Sequence, residues 1–447
     1  MASTYLTKTF SSGGNQRIWT SSFWVKLNIA SGEDNYIYTY AQSSGATPRG
    51  SMEFRSDANG NTFRVGFNPT GSSWINCDVD NRKFIDYSAF YHVVVAVDTT
   101  QATASNRVKI YINGEQQTVS TQPSQNFDTG FNHTHQTSFG RYENADSSYF
   151  SGVLSHINFI DGTQYTASTF GETDSTSGIW KPKTSPSVTY GSNGFFLKFE
   201  NSGAMGTDSS GNSNTFTVSG NLTQNVDTPS NNFATLNPLY NQTGGQGVVL
   251  ANGNTRCSYS PNSSRSAFGT IAVGTGKYYY EAKLESAGTA PVVGVVDLAW
   301  PDINGASGYA FHDSALNFGY DVGGQKTSGG SASAFGSALN NNDIVQVAMD
   351  LDNSKLYFGV NGTWQSSGDP TSGSTGTGSA YNLASDTLYT SACRIRNGGD
   401  WSFNFGQGYF GTTSVASAGT APSGGGIFEF DCPSGYQSLS TKGINSF

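Results

Sequence analysis

Charge is scarce in this sequence. Only 12% of the 447 residues are Asp, Glu, Lys or Arg, and the acids outnumber the bases by 32 to 23. No basic run occurs, which argues against nucleic acid as a partner, because phosphate binding needs clustered Lys and Arg. Long apolar runs are missing as well. No stretch approaches the roughly 18 residues of a membrane-spanning helix, and Met1–Lys8 lacks the apolar core of a signal peptide. These absences predict a chain made in a cytoplasm, without membrane insertion. Sustained helical periodicity is also absent. Cysteine is rare: Cys77, Cys257, Cys393 and Cys432 stand far apart, with no Cys-x-x-Cys pair and so no zinc or redox motif. They are expected to be buried free thiols, with a Cys393–Cys432 disulfide left open.

What the chain does have is glycine, 55 residues of it, and 13% aromatics. Together with abundant Ser, Thr and Asn this composition fits an all-β chain with many turns. The length predicts two or three domains. The most telling stretch is Phe90–Glu115. Residues 90–97 are almost continuously apolar, as in a strand covered on both faces. Val108, Ile110 and Ile112 then alternate with Arg107, Lys109 and Tyr111, as in a half-buried strand, and Asn113-Gly114 supplies the positive φ angles of a tight hairpin. Residues 343–362 repeat the pattern and end on Asn361-Gly362. The polar residues of the two stretches differ, so both are read as scaffold, each the centre of one β-sandwich.

Short strands parted by Gly, Pro and Asn place a first sandwich over 1–200 and a second over 233–410. Residues 201–232 turn small and polar and read as a linker, although Phe216 and Val218 interrupt it. Residues 411–447 carry few apolar side chains before Ile427 and read as a short C-terminal appendix. Five Asn-x-Ser/Thr sequons (Asn132, Asn221, Asn241, Asn262, Asn361) are expected by chance in so Asn-rich a chain.

The residues Arg17–Lys26, Phe90–Val94, Lys109–Gly114 and Gly152–Ile157 resemble the laminin-G or concanavalin-A-like jelly roll. Gly276–Glu281, Val293–Val295, Gly308-Tyr309, Asp343–Val345, Leu356–Phe358, Asn361-Gly362 and Phe403–Gly406 resemble a SPRY domain in its order. The joint Thr207–Phe216 with Asp227–Asn231, and the ending Pro433–Leu439, look like those of two-module structural proteins in phages of marine bacteria. The implied fold is two tandem antiparallel β-sandwiches, a jelly roll and then a SPRY-like domain. The implied role is a non-enzymatic virion protein on the particle surface, as tail fibre or capsid decoration. Its partners would be other virion proteins and a host surface glycan, and it would be a homo-oligomer, with a trimer as the guess. The alternatives are a secreted or cell-surface carbohydrate-binding adhesin and, third, a glycan hydrolase.

Each of these readings points to particular residues. Concanavalin-A-like hydrolases use paired carboxylates across the sugar, often as Glu-x-Asp-x-x-Glu. Glu172-Thr-Asp174 is the nearest match, but Ser177 replaces the last Glu, so no catalytic residue is expected. His133 and His135 could meet a metal but lack a third ligand. Asp78 with Asp80, and Glu33 with Asp34, offer the hard oxygens calcium needs, and laminin-G-like folds often carry calcium. Solvated turns are preferred for all of them, so no metal site or cofactor is expected, with calcium left open. Trp19 and Trp24 lie in a strand pattern and are expected in the core. Sugar rings stack on exposed aromatic faces, and SPRY-like domains bind through loops at one end. The expected binding residues are therefore Trp300, Asp302, Trp364 and Asp369, with the loops Asp98–Arg107 and Ser366–Ala380 as the places to look.

Overall fold

The computed structural model of the protein describes residues 4–28, 34–42, 48–57, 60–71, 73–143, 148–240, 247–300 and 310–446. The chain forms two compact units, Met1–Gln224 and Asn225–Phe447. Both are β-sandwiches of antiparallel sheets, and the one α-helix among the described residues is the single turn Thr441–Ile444.

The first unit stacks a seven-stranded sheet on a six-stranded one. The seven-stranded sheet runs, in spatial order, Thr217–Ser219, Tyr5–Lys8, Gln136–Phe139, Asn35–Ala41, Arg49–Asp57, Gly60–Asn68 and Ile75–Asp78. The six-stranded sheet runs Phe195–Leu197, Gly152–Asp161, Ile18–Leu27, Tyr91–Asp98, Val108–Ile112 and Glu115–Gln117. Alternate residues of both, such as Phe23, Val25, Phe63, Val65, Val93 and Val95, fill one core. The central strand Tyr91–Asp98 is buried along its whole length. Its second face, Val94 and Ala96, lies under Ala167, Phe170 and Trp180 from a covering segment. This cover is why the run is continuously apolar rather than alternating. Trp19 and Trp24 are both buried.

The second unit pairs a nine-stranded sheet, centred on Lys277–Ser286 and Ile344–Asp350, with a six-stranded sheet centred on Tyr389–Ile395 and Val292–Asp297. The outward face of the nine-stranded sheet presents Tyr279, Ala348 and Tyr357, and Phe428, Cys432 and Tyr436 cover it. Gln437–Ser438 then joins Lys277–Ser286 in parallel. Residues 411–447, expected as an appendix, are thus a strap built into this unit. Burying each of its large aromatic side chains is worth about 2 kcal/mol. The stretch expected as a linker is also built structure. Asp208 accepts from the backbone N–H of Phe196 at 2.9 Å and of Asn214 at 2.8 Å, Phe216 enters the first core, and Thr217–Ser219 is an edge strand.

The two echoing stretches are built alike. Asn113 and Gly114 have φ of +50° and +88°, and Asn361 and Gly362 have +48° and +83°, as a primed hairpin turn requires. The Asn113 side chain accepts from the His92 N–H at 2.8 Å, and the Asn361 side chain from the Ile344 N–H at 2.9 Å. An aromatic ring lies on each turn. A Cβ on Gly114 would come within 3.0 Å of Trp180, and one on Gly362 within 2.9 Å of Phe430.

Candidate functional site

The strap shapes a cleft of about 640 Å³ in the second unit. Its first wall is the turn after Thr363–Trp364, with Trp364, Asp369, Pro370 and Thr371. Its second wall is the strap, with Thr420–Ser423 and Asp431–Gln437. Tyr436 ties the walls together, donating its hydroxyl to the Pro370 carbonyl at 3.0 Å. Gln437 does the same within the strap, accepting from the Gly424 N–H at 2.7 Å and donating to Ser423 Oγ at 2.6 Å. Prolines 370, 422 and 433 fix φ along the lining. The volume falls in the range of small-ligand sites.

Two carboxylates stand on the lining. Asp369 Oδ1 accepts the Thr371 hydroxyl at 2.6 Å and its N–H at 2.8 Å, which holds the group below its ordinary value. Asp431 Oδ1 accepts the Thr420 N–H at 2.7 Å, with the same effect. Both are exposed and ionised at neutral pH. Trp364 is half-buried, set edge-on to Tyr279 with ring centres 6.4 Å apart. An aromatic ring beside fixed acceptors can stack on an apolar ring face while taking hydroxyl hydrogen bonds, the chemistry by which sugars are held.

Of the four expected binding residues, the structure brings Trp364 and Asp369 into this cleft. Trp300 is elsewhere: it is buried, 6% exposed, against Phe268, Val292 and Phe311 on the outward face of the six-stranded sheet, so its ring has no free face for a ligand. Asp302 lies outside the described residues. In the first unit the loop Asp98–Arg107 is tied down, because the Arg107 guanidinium donates to the carbonyls of Gln101, Ala102 and Pro123. Asp431 and the strap prolines are cleft residues that sequence reasoning missed. Pro433–Leu439 carried a resemblance, but no local signal placed it over a sheet.

Glu281 fastens the strap. Its carboxylate, fully buried beneath the cover, accepts the backbone N–H groups of Glu429 at 2.9 Å and Phe430 at 2.8 Å, the Tyr279 hydroxyl at 2.9 Å and the Asn404 amide at 3.3 Å. Burial pushes it up to about 7 despite these donors.

Several of the groups considered for catalysis or metal are engaged with other side chains. Asp174 pairs with Lys181 at 2.8 Å, which holds it far below its ordinary value, and Glu172 lies 3.7 Å from the same Lys. Ser22 Oγ and His92 Nε2 are 2.9 Å apart, the geometry of a nucleophile and its base. Yet Trp180 Nε1, which can only donate, lies 2.9 Å from His92 Nδ1. The proton therefore sits on Nε2, and His92 donates to Ser22 instead of accepting from it. Burial pushes His92 down to about 3, so it stays neutral. The rings of His133 and His135 stack 4.0 Å apart. Asp78 is held by Arg64 at 2.6 Å, and Asp34 is 3.7 Å from Arg55. Glu33 lies outside the described residues. Among the described residues no three His, Cys, Asp or Glu side chains gather as metal ligands.

Comparison with known proteins bears on the first unit above all. Residues 3–165 match the family model described as the concanavalin A-like lectin/glucanases superfamily. No curated protein matches. Among solved structures, the SPRY domain of human HERC1 aligns at 14% identity over 38% of this chain and 96% of its own, with a TM-score of 0.30. The enzymatically active domain of bacteriophage CBA120 tailspike protein 2 aligns at 16% over 37% of this chain and 25% of its own, with a TM-score of 0.29. A pentraxin of Limulus polyphemus aligns at 16% over 36% and 71%, with a TM-score of 0.26. The family match falls within the first unit, whose two stacked antiparallel sheets accord with a jelly roll.

Proposed function

We propose that this protein is a non-enzymatic bacteriophage virion protein, displayed on the particle surface, that binds other virion proteins and takes a host glycan in the cleft beside Trp364. The observation that carries the glycan reading is the cleft itself, a half-buried Trp with two ionised carboxylates on walls tied by Tyr436. The virion reading is supported by the resemblance of the joint and of the ending to two-module phage proteins. The first module's lectin-like fold accords with a binding role. In this reading the chain is a homo-oligomer, a trimer, and its place is the virion.

Mass spectrometry of purified particles with immunogold labelling tests the location, and absence from particles overturns it. A glycan array comparing wild type with Trp364→Ala tests the cleft. Up to about a tenfold loss of signal is expected, since stacking on one aromatic ring is worth as much as about 1.5 kcal/mol. Equal binding removes Trp364 from the site.

A hydrolase is the second reading, and one observation favours it. Glu53, on the outward face of the seven-stranded sheet, is pushed up to about 7 by burial, in the range of a general acid. It is only 4% exposed, which opposes contact with substrate. Release of reducing sugar from host polysaccharide, lost in Glu53→Gln, would establish it over the binding reading.

A further inference from the structure

Cys257 and Cys393 lie on strands of opposite sheets in the second unit, Arg256–Tyr259 in the nine-stranded sheet and Tyr389–Ile395 in the six-stranded one. Both are fully buried in the shared core, as free thiols, with their sulfurs 3.1 Å apart. A disulfide bond is about 2.05 Å long, so roughly 1 Å of approach separates contact from a covalent link. No other cysteine competes within this core: Cys432 belongs to the cluster on the outward face of the nine-stranded sheet, and Cys77 to the first unit.

We propose that Cys257 and Cys393 are a covalent modification site, an inter-sheet disulfide formed by exchange with a low-molecular-weight disulfide such as oxidised glutathione. One cysteine, as thiolate, attacks the glutathione disulfide and forms a mixed disulfide, releasing one glutathione thiolate. The second cysteine attacks the protein sulfur of that mixed disulfide and releases the other glutathione. The two protein thiols lose two electrons and two protons, and the glutathione disulfide is reduced to two thiols. The pair is 136 residues apart in sequence, so the link would close a long loop and constrain the unfolded chain strongly.

The folded core also sets when the step occurs. Both sulfurs are shielded from solvent, and burial raises the Cys257 thiol well above its ordinary value, so little thiolate forms. The link therefore closes as the sandwich folds or reopens, and slowly in the folded protein.

The test uses the full chain, unfolded in guanidinium and refolded by dilution with oxidised or with reduced glutathione. After alkylation and non-reducing digestion, mass spectrometry reads the cross-links. The oxidised sample is expected to yield a Cys257–Cys393 peptide pair as the dominant link, with Cys77 and Cys432 alkylated. Its thermal unfolding midpoint is expected roughly 5 °C or more above that of the reduced sample, a rise that Cys393→Ala abolishes. Folded protein given the same oxidant for the same time is expected to remain mostly reduced. Four alkylated cysteines after oxidative refolding, glutathione adducts alone, or a dominant link through Cys77 or Cys432 would each overturn the proposal. The wild-type cross-link map decides the matter even if the variant fails to fold.

Discussion

Among the described residues each unit buries one glutamate on the outward face of its larger sheet, and the two are held in different ways. Glu53 in the first unit is met by side chains: the Ser51 and Tyr36 hydroxyls bond to it, and Arg64 stands near. Glu281 in the second unit is met chiefly by backbone, the N–H groups of Glu429 and Phe430. Side chains can turn to water when their acceptor is lost, whereas backbone donors under a cover cannot. A glutamate held by side chains belongs to its own face. One held by another segment's backbone fastens that segment, and in the second unit the fastened segment walls the cleft.

The sharpest way to break this comparison is to remove both acceptors. Glu281→Ala leaves two backbone donors without a partner and removes the acceptor of the buried Tyr279 hydroxyl, and is expected to cost about 4 kcal/mol in denaturant unfolding. It should also open residues 411–440 to limited proteolysis. Glu53→Ala is expected to cost about 1.5 kcal/mol with no new cleavage. Equal costs would mean that the strap is not fastened through Glu281.

Titration comes next. Both glutamates are raised from 4.5 to about 7 by burial. A raised carboxylate contributes stability that is fully present below pH 4.5 and lost as the pH rises through about 7. Stability of the second unit should therefore fall by on the order of 3 kcal/mol across that window. Glu281→Gln should flatten the profile while lowering stability at every pH, since its amide nitrogen meets donors. A flat wild-type profile would show that water reaches the carboxylate.

The paired turns give a smaller effect. Gly114→Ala and Gly362→Ala each combine a positive φ with a close ring, Trp180 in one unit and Phe430 in the other. Each should cost about 2 kcal/mol by thermal unfolding. A cost at Gly114 alone would show that Phe430 yields, and that the two covers differ in rigidity. The smallest effect on stability belongs to the cleft. Asp369→Asn is exposed and should change stability by less than about 0.5 kcal/mol. It should still weaken glycan binding about tenfold, because one hydrogen bond to a charged acceptor is worth about 1.5 kcal/mol or more.

Much of the scaffold was legible in the residues. The alternation of Val108, Ile110 and Ile112 predicted the buried face that the structure has, and the unbroken run 91–97 predicted cover on both sides. Both Asn-Gly pairs predicted hairpins. Trp364 and Asp369 follow such a turn, and both line the cleft of the second unit. Trp300 stood equally well after a strand, but its surroundings, Phe268, Val292 and Phe311, come from strands far apart in sequence. No local pattern distinguishes a Trp that closes a satellite cluster from one that lines a cleft.

By itself the sequence determined what depends on near neighbours. Period-two alternation sets which side of a strand is apolar, and Asn-Gly sets where the chain can reverse, because both act through the backbone of a few residues. Which segments form the covers was decided by the tertiary structure alone. Glu429 and Phe430 find Glu281 across 148 and 149 residues of chain, and Cys257 meets Cys393 across 136. Such contacts exist only once two sheets have formed, pressing the two cysteines together between them and leaving an outward face over which the strap folds back to complete the cleft.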